Sequence, residues 1–228
     1  MKAFPYAACV TLISLALAGC KPSADASYRY KLTISVETPE GMKTGSNVVE
    51  LDYYKTASGA PHRTYGEALV LDIGASGTLV ALLTQQGERT VWAQDDPISI
   101  IFKKCGRDTR DIFDLVDTVR SISACKAIYP LDLSKLSELP DILLFKNAKD
   151  LASLAVVDPE NPEAVLGPGV VIRSASIQLT DEPLTRGVDD HLPWVRDWRG
   201  KIDPPLWHTR QHFLNSIGRF DFIQEGEG

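Results

Sequence analysis

Residues Tyr28 to Thr38 alternate without a break. Tyr28, Tyr30, Leu32, Ile34 and Val36 fall on one side, and Arg29, Lys31, Thr33, Ser35 and Glu37 on the other. Successive side chains of a strand point to opposite faces of a sheet, so period two over this length predicts a strand with one dry face and one wet face. Such a strand cannot stand alone, because its apolar row must meet a second layer. It also points to antiparallel neighbours, since antiparallel sheets can keep one face in water. Pro39-Glu40-Gly41 breaks the strand, and Ser46 to Tyr54 predicts a second, antiparallel to the first.

The pattern continues along the chain. Thr56 to Thr64 reads as a loop of small residues. Glu67 to Ile73 and Thr78 to Thr84 are apolar strands separated by Gly74-Ala75-Ser76-Gly77. Ile98 to Phe102, behind Pro97, reads as a short strand; Asp141 to Lys146, Leu151 to Val157 and Val170 to Thr180 read as further strands. Asp158-Pro159-Glu160-Asn161-Pro162 and Gly167-Pro168-Gly169 are turns. A helix is expected from Thr109 to Ser121, with Asp108 or Thr109 at its start and Ile112, Phe113, Val116 and Val119 on one face. A second is expected from Asp203-Pro204 to just before Gly218, with proline inside its start and glycine past its end. The sum is a single α+β domain over residues 28–228, a predominantly antiparallel sheet with two main helices. The formal net charge is −6, and no Lys/Arg run interrupts it, which argues against nucleic acid as a partner.

The first residues carry an address. Met1-Lys2 supplies one positive charge, Ala7 to Ala16 is mostly apolar, and the run ends Leu17-Ala18-Gly19-Cys20. A short basic start, a short apolar centre and small residues at a cut describe a secretory signal. About 20 apolar residues are needed to span a bilayer, so the run is marginal as a permanent span. Leu17-Ala18-Gly19-Cys20 resembles the lipobox of bacterial lipoproteins. The resemblance implies that residues 1–19 are removed and that the Cys20 thiol carries a diacylglycerol, with the new amine acylated. It makes the lipid bilayer the first partner, since acyl chains contribute roughly 0.8 kcal/mol per buried CH₂ and two chains give stable anchoring. Residues 20–27, small and polar, then form a flexible tether. Lys21 rather than Asp follows Cys20; by resemblance to enterobacterial sorting, this implies an outer membrane position facing the periplasm.

Export also bears on the cysteines beyond the anchor, Cys105 and Cys125, because disulfides persist in oxidising compartments. A bridge between them would close a loop of about 20 residues and contribute roughly 3 kcal/mol. The expected helix between them requires both connectors to fold back along it. Two buried thiols are the alternative. No Cys-x-x-Cys pair offers a zinc framework.

The remaining motifs weigh little. Asp72-Ile73-Gly74-Ala75-Ser76-Gly77 resembles the catalytic loop of aspartic proteases, but Ile73 stands where that loop needs a hydroxyl, and no second such loop supplies the partner carboxylate. With Thr78 it also resembles the first phosphate loop of actin-like kinases, whose other loops are absent. A tight turn between two strands accounts for the same residues. His208 and His212, four apart on the expected second helix, could give two metal ligands, with His191 and Asp203 as guesses for a third. Two solvent-facing or capping histidines are the simpler reading. Trp194, Trp198 and Trp207 either line a groove or cover a sheet, and Asp189, Asp190, Asp197 and Asp203 make an acidic loop without EF-hand spacing.

Gly167-Pro168-Gly169-Val170, Ile177-Gln178-Leu179-Thr180-Asp181-Glu182-Pro183, Thr185, Gly187, Leu192-Pro193-Trp194 and the opening Tyr-x-Tyr-x-Leu strand with its Thr-Pro-Glu-Gly turn resemble a group of proteobacterial hypothetical proteins, many with an export signal. That resemblance implies one domain and brings no activity, cofactor or site. Two functions are expected to compete: a non-catalytic envelope lipoprotein that binds or scaffolds another envelope protein, without a cofactor, and a periplasm-facing hydrolase assisted by metal at His208 and His212.

Overall fold

The computed structural model describes residues 23–57, 61–83, 92–106, 115–122, 124–134, 138–158, 161–201 and 217–226. The fold is a single α+β domain built on two antiparallel sheets. The larger sheet contains β1 (Ala26–Thr38), β2 (Gly41–Tyr53), β3 (His62–Glu67), β6 (Tyr129–Pro130), β9 (Val171–Leu179) and β10 (Ile223–Glu225), in the order β10-β3-β2-β1-β9-β6. The smaller contains β4 (Leu69–Asp72), β5 (Thr78–Ala81), β7 (Ile142–Phe145) and β8 (Leu154–Val156), in the order β4-β5-β7-β8. Two longer helices, α1 (Trp92–Lys104) and α2 (Leu115–Ile122), and two single turns, α3 (Glu163–Leu166) and α4 (Val188–His191), are the described α-helices, with short 3-10 turns at Gly74–Ser76, Leu151–Ser153 and Arg219–Asp221.

The alternation of β1 sets the layers. Its inner row, Tyr28 to Val36, is buried against Leu69, Leu71, Leu79, Ala81 and Leu144 of the smaller sheet and against Ile98, Ile101 and Phe102 of α1 and Val116, Val119 and Ile122 of α2. The other face of the smaller sheet is also covered: Val80, Leu143 and Phe145 pack with Val188, Leu192, Val195, Phe222 and Ile223. With both faces dry, β7 can be apolar at every position, which is why Ile142-Leu143-Leu144-Phe145 shows no alternation. Gly77, at φ +117, closes the turn between β4 and β5, and a Cβ there would collide with the Phe145 carbonyl.

Several boundaries differ from the sequence reading. Strand β1 starts at Ala26, not at Tyr28, and β2 begins at Gly41, directly after the turn, rather than at Ser46. Strand β3 takes the end of the expected 56–64 loop, and the expected 67–73 strand is only β4. Ile98 to Phe102 is helix, not strand. Ile98, Ile101 and Phe102, at the i, i+3, i+4 spacing of a helix face, are buried together with Ile100, while Ser99, Lys103 and Lys104 are exposed, and Pro97 lies inside α1 rather than ahead of a strand. The helix expected from Thr109 is seen as α2 from Leu115; Asp108, Thr109, Ile112 and Phe113 lie outside the described residues, as does the helix expected after Asp203.

Cys105 follows the last residue of α1 and Cys125 lies three residues past α2. They form a disulfide, with Cα atoms 5.8 Å apart. Each is braced by its own helix end, Cys105 N–H donating to the Ile101 carbonyl at 2.8 Å and Cys125 N–H to the Ile122 carbonyl at 2.7 Å.

The core carries stacked phenols. Tyr28 lies against Tyr53 with ring centroids 6.2 Å apart, and Tyr30 is buried beside Tyr28. Burial, with the neighbouring Tyr53 adding to it, holds the Tyr30 phenol neutral well above the ordinary tyrosine range. In the unfolded chain that phenol ionises near about pH 10, so the fold keeps a proton the unfolded state gives up. Stability is therefore complete below about pH 10 and falls as the pH rises beyond it. Tyr30→Phe should move the alkaline unfolding midpoint upward in circular dichroism titrations; an unchanged midpoint would place the alkaline transition elsewhere.

Candidate functional site

The outer face of the larger sheet is the one left to water. The registers of β2, β1 and β9 line its side chains up in rows: Ser46, Thr33 and Ser176 in one, Thr44, Ser35 and Ser174 in the next. Ser35 Oγ and Thr44 Oγ1 are 3.0 Å apart and share a hydrogen bond. The charges around these hydroxyls come in pairs. Arg29 Nε meets Glu50 at 2.6 Å, Lys31 Nζ meets Glu182 at 2.9 Å, and Arg173 meets Glu37. The result is a hydroxyl-rich floor whose flanking charges are locally compensated.

Residues 180–188 cross this face as a strap. Thr180 N–H donates to the Arg29 carbonyl at 3.1 Å, and Lys31 holds Glu182 from below. Thr185 docks beside β2: the Val48 N–H donates to Thr185 Oγ1 at 2.8 Å, and the Thr185 N–H donates to the Val48 carbonyl at 3.3 Å. Thr185 can occupy that place because β3 leaves β2 beyond Tyr65, at Gly66, whose φ of +151 turns the chain toward the smaller sheet. Glu67 fastens the far end. Glu67 is 1% exposed, and its carboxylate accepts the Val188 N–H at 2.8 Å and faces Arg186 at 3.7 Å. Asn47 Nδ2 donates to the Glu67 carbonyl at 2.8 Å, tying the same residue to β2. Thr185 entered the sequence reading only through a resemblance, and Glu67 only as the start of an expected strand, because their contacts join segments far apart in the chain.

Beyond the strap the chain covers the smaller sheet. Trp194 and Trp198 pack edge to face with Phe222, at 5.5 and 6.2 Å between centroids, and Trp194 Nε1 donates to the Ala148 carbonyl at 2.9 Å. These tryptophans close a sheet face rather than line a groove. Asp189 is held below the usual carboxylate range chiefly by the hydrogen bond from Arg196 at 2.6 Å. Glu225 lies 3.9 Å from Arg196 and 3.0 Å from Arg219. Asp190, His191 and Asp197 are exposed.

Asp72 is exposed, and its Oδ1 accepts the Gly74 N–H at 2.9 Å, so the Asp72–Gly77 string forms the tight turn into β5. Cys20, Asp203, Trp207, His208 and His212 lie outside the described residues. Among the described residues no three His, Cys, Asp or Glu side chains converge on a metal position, and no helix is long and apolar enough to cross a membrane. What the arrangement offers is a polar contact surface, crossed by a strap that hydrogen bonds hold at both ends. Compared with known protein families, curated proteins and solved structures, the chain matches none.

Proposed function

We propose that this chain is a lipid-anchored lipoprotein of the bacterial cell envelope, attached through Cys20, whose folded part binds or scaffolds another envelope component without catalysing a reaction. The observation that carries the reading is the Cys105–Cys125 disulfide. A bridge inside the folded domain suits an oxidising compartment, the same destination as the export signal before Cys20. The polar outer face supports a binding role, with its hydroxyl rows available and its charges already paired.

The reading also orients the domain. Asp25 is tied down, its N–H donating to the Tyr53 carbonyl at 2.9 Å and its carbonyl accepting Arg120 at 3.0 Å. Only Cys20 to Ala24 then remain as tether, spanning at most about 18 Å. The end bearing Asp25, Lys55 and Arg120 would lie near the bilayer. At about 3.3 Å per residue, β1 would carry the Pro39–Gly41 turn some 40 Å away from it.

Mass spectrometry of the mature N-terminus tests the anchor. The expected species begins at Cys20 and carries acyl chains, and Cys20→Ala abolishes it. An unmodified peptide beginning elsewhere would sink the location. A photo-crosslinker at Thr33 tests the role: repeated capture of one envelope component in intact cells is expected, and no adduct at all would argue against binding.

A further inference from the structure

Asp25 is the last residue before β1, and its N–H, carbonyl and carboxylate are all engaged. The N–H donates to the Tyr53 carbonyl at 2.9 Å, and Oδ2 accepts the Lys55 N–H at 2.6 Å. Arg120, in the last turn of α2, donates to the Asp25 carbonyl from Nε at 3.2 Å and from Nη2 at 3.0 Å, and its Nη1 holds Asp117 at 2.8 Å. The chain is thus clamped at the residue where the tether ends. Two ammonium groups of this end are left over. Lys55 lies just past β2, and Lys126 directly follows Cys125, just past α2. Both are exposed, and neither ammonium has a partner among the described residues. The acids near them are engaged or stand farther off. Asp117 is held by Arg120, and Asp25 by the Lys55 N–H. Asp181 is exposed, but it belongs to the strap, which meets β1 at Arg29 and Lys31. Along β1 that level lies about 10–16 Å beyond Ala26.

We infer that this end of the domain docks on the bilayer that holds the anchor, with Lys55 and Lys126 set against anionic headgroups and Arg120 fixing the exit of the tether. The inference rests on the lipid anchor proposed above. A five-residue flexible tether has a typical end-to-end distance on the order of 12 Å. Surface charges are screened over about 8 Å at physiological salt, so headgroups act on the two lysines far more than on the strap. Lys21, beside Cys20, adds a cation on the tether itself. The chain as a whole carries a formal net charge of −6. An anionic surface therefore repels most of the domain and draws its unpaired lysines inward. A short tether keeps the bilayer at high effective concentration, so two weak charge contacts suffice. The clamp on Asp25 makes the contact selective, because the tether then leaves from one fixed point beside Lys55.

Amine labelling of the acylated chain, reconstituted in vesicles of phosphatidylcholine alone or mixed with phosphatidylglycerol, tests the surface. Mass spectrometry of the peptides reads each lysine. Lys55 and Lys126 should react several-fold more slowly on the mixed vesicles, and the difference should vanish at high salt. Lys149 is the internal reference. It is exposed and follows Lys146, whose Nζ donates to the Ser76 carbonyl at 3.4 Å, beside the Ala75 N–H that donates to Glu40 at the far turn. Its rate should be the same on both vesicles. Arg120→Ala should keep the acyl groups and weaken the protection of Lys55 and Lys126. Equal rates for these two lysines on both vesicles, equal slowing of Lys149, or protection untouched by Arg120→Ala would overturn the inference. A chain without acyl groups would sink the anchor as well, whereas an acylated chain with indifferent lysines sinks the docking alone.

Discussion

Replacing Leu144 with alanine should lower unfolding stability by about 2–5 kcal/mol, the range for emptying a close-packed leucine site. Leu144 is fully buried in the centre of β7, facing the inner row of the larger sheet. Its neighbours Leu143 and Phe145 point to the opposite face, against the covering segment that carries Val188, Leu192 and Phe222. The site therefore lies in the middle layer of three, where neither side can collapse far into the vacancy. For a domain of this size the loss corresponds to a fall in melting temperature of roughly 5–15 °C. Differential scanning calorimetry would check it. A fall near the low end would mean that the two sheets slide together to close the gap, and no fall at all would contradict the layer arrangement.

Removal of the disulfide should be nearly as costly. The Cys105→Ser, Cys125→Ser double variant is expected to lose about 3 kcal/mol, the chain-entropy value for the loop that the bridge closes. Both sulfurs belong to the region where α1 and α2 meet the inner face of the larger sheet, and Cys125 is itself buried. The loss should show first as faster amide exchange in α1 and α2, with the β1–β2 hairpin less affected. Unfolding the wild type in a reducing agent should reproduce the double variant. Equal stability with and without reductant would mean that the bridge contributes nothing.

The parts of the fold legible in the sequence are those that water sees on one side. The strand β1 announces itself because its faces have different solvents, and the turn around Gly74 and Gly77 because its backbone needs glycine. The stretch from Ile98 to Phe102 misleads for a physical reason. Its β-branched residues and the proline before it suit a strand, and only the burial of Ile98, Ile101 and Phe102 around an exposed Ser99 reveals the helix. The strands β6 and β10 are too short to show any period. The polar face was half legible: Thr33 and Ser35 could be assigned to the wet side of β1, but their rows with Ser46, Thr44, Ser176 and Ser174 depend on register. Glu67 as a clasp depends on Val188, a partner distant in sequence, and no local pattern points to that contact.

The strand order of the larger sheet sets early strands beside late ones. Tyr30 pairs with Leu179, and Tyr65 pairs with Glu225. The sheet thus waits for the last stretch of polypeptide before it can close, and contacts so remote in sequence form slowly. The parts of the sheet that need β9 and β10 therefore stay incomplete while the C-terminal portion is still being made. If the chain is exported as proposed above, that delay would help it to cross the membrane as an open chain.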